Sequence, residues 1–189
     1  MIKLPLRFLA LILTTITLPI YAQDRAGNNT AGEWLPSHYK IFDQWDSVCD
    51  KRGSENTTEQ RCYIRYVDVY SDHPKFGAVF LFVTPEKSGH KIEVGFERGT
   101  RYMDQGFQLE VNGAQIWAMP EKCLRTKSCV LTGDNAAEFI AKAQENENAV
   151  LAQRFTDRYK QSYTLNWQMN TFLSALNDFE IQTEIRALR

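Results

Sequence analysis

Apolar residues in the middle of the chain recur in short runs that are typical of β-strands. Residues 62–70, CYIRYVDVY, are rich in β-branched and aromatic types, and residues 76–83, FGAVFLFV, form a continuous apolar run. Residues 91–97, KIEVGFE, alternate between apolar and polar types, which is the pattern of a strand with one buried face. These three segments predict a β-sheet in this part of the chain.

A β-hairpin is predicted over residues 107–119, FQLEVNGAQIWAM. Asn112-Gly113 separates two apolar-rich runs there, and a type I′ turn needs positive φ at both of its central residues. Three further strands are predicted, at residues 129–131, 149–155 and 161–167.

Two helices complete the predicted pattern. The first covers residues 133–147 with Asp134 as its cap, and the second covers residues 170–179; in both, apolar residues recur at helical spacing. Strands and helices do not alternate, so a doubly wound sheet is not expected. The prediction is a mainly β fold, an antiparallel β-sandwich (immunoglobulin-like or jelly-roll-like) with one or two short helices.

The N-terminus has the layout of a secretory signal peptide. Lys3 and Arg7 precede an uncharged apolar stretch over residues 8–20, and Ala22 offers a small residue for cleavage. The apolar stretch is short for a membrane span, which needs about 20 residues. The predicted organisation is a signal peptide at 1–22, a flexible polar leader at 23–33 and a single β-sandwich domain at 34–189.

The charge of the mature chain argues against a nucleic-acid partner. Two of the 22 basic residues lie in the signal peptide, so 20 face 23 acidic residues and the net charge is −3. Proteins that bind polyanions are usually basic. No later segment is apolar for long enough to cross a membrane, so no transmembrane segment is expected after signal cleavage.

The four cysteines, Cys49, Cys62, Cys123 and Cys129, are predicted to form two structural disulfides. An even number in an exported chain favours disulfides, and four cysteines allow three pairings. Proximity in sequence favours Cys49–Cys62 and Cys123–Cys129. The first bridge would close a polar loop, KRGSENTTEQR, and stabilise the fold by about 3 kcal/mol. The spacings do not match zinc sites or a Cys-x-x-Cys redox pair, so no metal or cofactor is expected.

Catalytic side chains form no recognisable constellation. The three histidines, His38, His73 and His90, are interpreted as surface loop residues, and no Gly-x-Ser-x-Gly motif is present. Carboxylates do lie beside aromatic residues, since Asp43, Asp46 and Asp50 surround Trp45, while Asp68 and Asp72 flank Tyr70. This pattern leaves open a carbohydrate-active hydrolase, and it is also typical of solvated strand edges.

Three cations crowd the segment closed by the second predicted disulfide. Lys122, Arg125 and Lys127 could contact an acidic partner or a lipid headgroup, so they are a candidate partner-binding loop. The alternative is a solvated turn closed by a disulfide.

The order of these landmarks resembles the invasion-associated locus B family of exported bacterial proteins. Trp45-x₃-Cys49 is followed by Cys62 at the start of a strand, by the close pair Cys123 and Cys129, and by Phe172-Leu-Ser-Ala-Leu. The resemblance covers residues 42–180. The chain departs from the family in having Ser128 where glycine is frequent, and Gln-Met-Asn-Thr at 168–171 where Ser-Leu-Lys-Gly is frequent.

The resemblance implies a β-sandwich at the periplasm, outer surface or extracellular space, linked to host-cell invasion in some pathogens. It supplies no enzymatic residues. The leading hypothesis is therefore an exported non-enzymatic protein that binds a protein or envelope partner. The resemblance to the family further implies a role in virulence. The alternatives are a periplasmic hydrolase that uses aspartates beside Trp45 or Tyr70, and a small-ligand carrier with an apolar cavity between its sheets.

Overall fold

The computed structural model describes residues 34–188, apart from 55–56, 72–76, 97–99, 126–127 and 158. The predicted signal peptide and leader lie outside the described residues.

Two antiparallel sheets make up most of the molecule. The strands of sheet A are β1 (Leu35–Phe42), β2 (Trp45–Ser54), β3 (Thr57–Ser71), β4 (Gly77–Glu86), β5 (Gly89–Phe96) and β8 (Ser128–Leu131). The strands of sheet B are β6 (Arg101–Val111), β7 (Ala114–Ala118), β9 (Val150–Thr156) and β10 (Ser162–Gln168). Sheet A has the order β1-β2-β3-β4-β5-β8, and sheet B has the order β10-β9-β6-β7.

Two helices cover parts of the sheets that the sandwich leaves open. Helix α1 (Gly133–Glu145) contacts β5 and β7, and helix α2 (Asn170–Ile185) lies on β1, β2 and β3. A 3₁₀ turn, Glu121–Arg125, precedes β8. One buried cluster of apolar residues includes side chains from both sheets and both helices. The predicted antiparallel β-sandwich with two helices is confirmed.

Trp45, the first residue of β2, joins both sheets and helix α2. Its ring is fully buried and packs at 5.8 Å from Trp167 of β10 and 5.0 Å from Phe172 of α2. Its indole N–H donates to the Gln168 carbonyl at 3.2 Å. A tryptophan both contributes a large apolar surface and needs a partner for its N–H when buried, and this position supplies both.

Helix α2 also contacts sheet A through histidine–carboxylate pairs. His38 Nε2 lies 2.7 Å from Asp178 Oδ2, and His90 Nε2 lies 3.3 Å from Glu180 Oε1. The interpretation of His38 and His90 as surface loop residues is wrong, because they lie in β1 and β5 and meet carboxylates of α2. His73 lies outside the described residues.

The disulfide pairing favoured by sequence proximity is confirmed. Cys49 and Cys62 are directly opposite each other on β2 and β3, with Cα atoms 4.1 Å apart. Cys123 in the 3₁₀ turn joins Cys129 of β8, with Cα atoms 5.0 Å apart. The polar segment after Cys49 is not an open loop as predicted, since β2 continues to Ser54 and β3 begins at Thr57.

Several element boundaries also differ from the prediction. Strand β4 was expected to end before Thr84-Pro85 but runs to Glu86. The reason is that β3 pairs with β4 only as far as Val83, so Pro85 has β5 as its neighbour on one side alone and its missing N–H disturbs no ladder there. Helix α1 has Thr132 rather than Asp134 at its N-cap.

The predicted hairpin turn is present. Asn112 and Gly113 have φ values of 51° and 80° between β6 and β7, which is the positive φ at both central residues that a type I′ turn requires.

Replacing Trp45 with alanine should lower the free energy of unfolding by about 3–5 kcal/mol, the usual cost of truncating a buried large aromatic side chain. Urea denaturation of the mature protein measures the change. Ile41→Ala is the control, since Ile41 is 58% exposed and should change stability by less than about 1 kcal/mol. Equal losses in the two variants would contradict the central role of Trp45.

Alkylation of the folded protein should label no cysteine before reduction and all four afterwards, because both pairs are bonded. Intact mass spectrometry counts the labels. Removing the Cys49–Cys62 bridge by a double alanine substitution should cost about 3 kcal/mol in the loop-entropy account. Free alkylation of Cys123 and Cys129 would instead indicate metal or redox chemistry.

Candidate functional site

The first candidate site is an aromatic seam between β3 and β10. Every second residue of a strand faces the same side, so β3 presents Tyr66, Asp68 and Tyr70 towards sheet B. Strand β10 presents Tyr163 and Trp167 to the same place. We call these five residues the tyrosine seam. All but the buried Trp167 are partly exposed, so the seam reaches the surface.

The rings of the tyrosine seam form two packed pairs on either side of Asp68. The Tyr66 and Trp167 centroids lie 4.6 Å apart, and those of Tyr70 and Tyr163 lie 4.8 Å apart. Trp167 Nε1 donates to Asp68 Oδ2 at 3.1 Å. The Asp68 carboxylate therefore lies at the middle of an aromatic surface, with an indole fixing its orientation.

Electrostatics keep the Tyr66 hydroxyl protonated. Burial raises the pKa of Tyr66 to about 12, assisted by the charge of Asp68, by the hydrogen bond to that carboxylate and by the charge of Asp43. The hydroxyl therefore acts as a donor to Asp68 over the whole physiological pH range. Asp43 lies in the β1–β2 turn with a φ of 57°.

The second candidate site is the face of sheet A that points away from sheet B, which we call the outer face. Five large apolar side chains on it are 43–58% exposed: Tyr39, Ile41, Val67, Val69 and Val130. Strand register aligns Ile41, Asp46, Arg65, Phe82, Glu93 and Val130 in one row across all six strands.

A small apolar cluster and an ion pair lie on the outer face. Val48, Tyr63, Phe80 and Phe82 form a buried cluster separate from the main core. Arg65 Nε lies 2.9 Å from Asp46 Oδ2 on the same face. The face therefore combines exposed apolar side chains with the Asp46–Arg65 ion pair.

The predicted carboxylate cluster around Trp45 does not form. Residues of opposite parity on β2 face opposite ways, so Asp46 and Asp50 lie on the outer face while the Trp45 ring is in the core. Asp50 binds Arg61 at 3.2 Å and accepts a hydrogen bond from the Tyr63 hydroxyl at 3.0 Å. Burial, followed by the charge of Asp50, raises the pKa of Tyr63 to about 12.

Of the carboxylates predicted beside Tyr70, Asp68 belongs to the tyrosine seam and Asp72 lies outside the described residues. Two other carboxylates, Asp104 and Glu121, line a hollow of about 290 Å³ beside β6 and β7. Both carboxylates are exposed.

The predicted partner-binding loop is only partly described. Lys122 is exposed in the 3₁₀ turn, and Arg125 ends that turn. The Arg125 side chain and Lys127 lie outside the described residues, so the loop stays a prediction. Within the residues that the structure describes, no group of three or more metal-ligating side chains comes together.

Comparison with solved structures finds a distant structural likeness. The fold is similar to the crystal structure of invasion associated protein B from Bartonella henselae, with a TM-score of 0.46 and 16% identity. The match covers 78% of this chain and 99% of the other. No family profile and no curated protein sequence matches the chain. These values describe a distant structural relationship, and no function follows from them.

The two disulfides are of the kind that persists in oxidising, extracytoplasmic compartments. Among the helices in the described part of the chain, none has the length and apolar character needed to cross a membrane.

Sequence reasoning missed the outer face, although a signal for it was present. Residues 76–83 form a continuous apolar run, and such a run places apolar side chains on both faces of a strand. Val67 and Val69 also alternate with the inward Tyr66, Asp68 and Tyr70. The sequence does not tell which of the two faces is covered by the second sheet.

The Asp68→Asn substitution should lower the pKa of Tyr66 from about 12, because it removes a negative charge beside the hydroxyl. Resonances of ¹³C-labelled tyrosine, assigned with Tyr66→Phe, measure the titration. Asp134→Asn, at an exposed position in α1, is the control and should leave that pKa unchanged.

The raised pKa also links Tyr66 to stability at high pH. Because the pKa of Tyr66 in the folded chain is above the ordinary value of 10.0, this tyrosine contributes to the free energy of unfolding. The contribution is complete below pH 10 and is lost as pH rises towards about 12. Tyr66→Phe should therefore remove part of the alkaline loss of stability. An identical alkaline profile in the variant would show that the tyrosine titrates equally in the folded and unfolded chains.

Proposed function

We propose that the protein is an exported, non-enzymatic protein of the bacterial envelope or surface that binds a protein partner through the outer face of sheet A. The five exposed apolar side chains of that face, Tyr39, Ile41, Val67, Val69 and Val130, carry the proposal. Single exposed apolar residues are normal on protein surfaces, whereas a group of them on one face marks an interaction site.

The arrangement of charge on the outer face fits a protein partner better than a small substrate. Asp46 and Asp50 are held by Arg65 and Arg61, so they are not available as catalytic carboxylates. The exposed apolar groups on the same face are aliphatic or phenolic. Protein interfaces likewise combine apolar groups with polar and charged groups.

Other observations support the proposed cellular location of the protein. Two disulfides and the predicted signal peptide support export. The resemblance of the cysteine and tryptophan motifs to the invasion-associated locus B family supports an envelope or outer-surface location, and extends the proposal to host-cell contact.

The double variant Ile41→Lys/Val130→Lys should weaken binding of the mature protein to isolated bacterial envelopes by about tenfold or more, because it replaces two of the five exposed apolar side chains with charges. Ile41 and Val130 are 58% and 43% exposed, so the new lysines can reach solvent and the fold should persist. Quantitative co-sedimentation measures the binding, and circular dichroism measures folding.

The matched control is Ile181→Lys/Ile185→Lys, two apolar residues of α2 that are 47% and 69% exposed. It adds the same charge at similar exposure away from the outer face, and should leave binding unchanged. Equal binding by both double variants and the unaltered protein would refute the outer face as the binding surface. Hydrolysis of an envelope glycan, abolished by Asp68→Asn, would instead establish the enzymatic alternative that uses aspartates beside Tyr70.

A further inference from the structure

Strand β10 is an edge of sheet B and lacks the devices that protect edge strands from pairing with other chains. Such devices are proline, charge, a bulge or short length. Edge strand β1 contains Pro36, Lys40 and a register shift between Pro36 and His38. Edge strand β8 has four residues, and the pairing of edge strand β7 is interrupted by a register shift.

By contrast, β10 has seven residues, SYTLNWQ, without charge or proline, in unbroken register with β9. Met169 follows the strand and donates its N–H to the Ala149 carbonyl next to β9. The Gln168 carbonyl faces the opposite way and accepts hydrogen bonds from the side chains of Trp45 and Gln44. Because backbone groups alternate along a strand, those of Ser162, Thr164 and Asn166 point out of the sheet with Gln168.

The backbone groups of these three residues are open to a further strand. In the part of the chain that the structure describes, no backbone or side-chain hydrogen bond reaches the outward N–H or C=O groups of Ser162, Thr164 and Asn166. Their side chains are exposed and uncharged. At the Gln168 end the edge is closed by the β1–β2 turn.

Two carboxylates border this edge, one beneath the strand and one at its Gln168 end. Asp68 of the tyrosine seam lies beneath β10, and Asp43 stands in the turn that closes one end. No ion pair within the described residues involves either carboxylate. Asp68 accepts from Trp167 and Tyr66, and a carboxylate has about four acceptor positions, which leaves room for a cation.

We propose that the β10 edge binds an extended basic segment of a protein partner by β-strand addition. Main-chain hydrogen bonds to Ser162, Thr164 and Asn166 provide the pairing, and a lysine or arginine that points inwards pairs with Asp68. This inference rests on the proposed binding function and adds the chemistry of the bound segment. It uses a different surface from the outer face.

The test uses the full mature protein and a labelled heptapeptide of alternating lysine and valine as the probe. Fluorescence anisotropy should show saturable binding, and the counterpart with glutamate in place of lysine should bind at least about tenfold more weakly. A probe methylated on every backbone nitrogen should not bind, because it has no N–H to donate to the outward carbonyls of β10 from either edge. Equal binding of all three probes would overturn the proposal.

Hydrogen exchange provides a control inside the strand. The amides of Ser162, Thr164 and Asn166 should exchange fast in the free protein and slow when the lysine–valine probe is added. The Leu165 amide points to β9 and should be protected in both states. Binding without slower exchange at the three outward amides would place the probe elsewhere and refute strand addition.

Two sets of variants separate the backbone contribution from the charge contribution. Thr164→Pro removes an outward N–H and should abolish binding of the lysine–valine probe. If that variant does not fold, Ser162→Pro, at the first residue of the strand, is the second variant. Asp68→Asn should weaken binding by about tenfold, whereas Asp134→Asn, which removes the same charge elsewhere, should not.

The outcomes distinguish this inference from the proposed function. If Ile41→Lys/Val130→Lys abolishes envelope binding while no probe pairs with β10, the function stands and the strand-addition proposal falls. If sedimentation analysis shows a dimer that Thr164→Pro dissociates, the occupant of the edge is a second copy of this chain, and the peptide proposal is wrong.

Discussion

The buried indole of Trp45 is the contact on which the arrangement of the layers depends. It belongs to sheet A, packs on Trp167 of sheet B and Phe172 of α2, and holds the Gln168 carbonyl where β10 ends and α2 begins. The same hydrogen bond closes one end of the β10 edge. The position of the candidate strand-addition site therefore follows from a core contact, because the β1–β2 turn cannot move along β10 without breaking it.

Strand register explains why the two candidate surfaces have different chemistry. Pairing between β2 and β3 ends at Asp46 and Arg65, so the last part of β3 extends beyond the β1–β2 turn. Its inward side chains, Tyr66, Asp68 and Tyr70, meet β10 and form the tyrosine seam. Its outward side chains, Val67 and Val69, join the outer face. One strand thus contributes an acidic aromatic surface to one side and an aliphatic surface to the other.

Sequence patterns predicted the elements that have strong local signals. The structure contains four of the predicted features: the strand predicted over residues 91–97, the Asn112-Gly113 turn, both helices and both disulfides. The hairpin arms after Cys49 were missed because both of their faces are solvated, so no apolar alternation marks them. The roles of His38 and His90 were also missed, since their partners lie on α2, about 90 to 140 positions away in the sequence.

The candidate sites were harder to predict than the fold, for a related physical reason. A carboxylate beside an aromatic residue in sequence lies on the opposite face of a strand, so Asp46 is separated from the Trp45 ring by the sheet itself. The pairs that do meet are two residues apart or come from different strands, such as Asp68 with Tyr66 and Trp167. An unpaired edge is still less visible, because it is defined by the sheet order. The seven uncharged residues of β10 gain significance only once β10 is known to have a neighbour on one side.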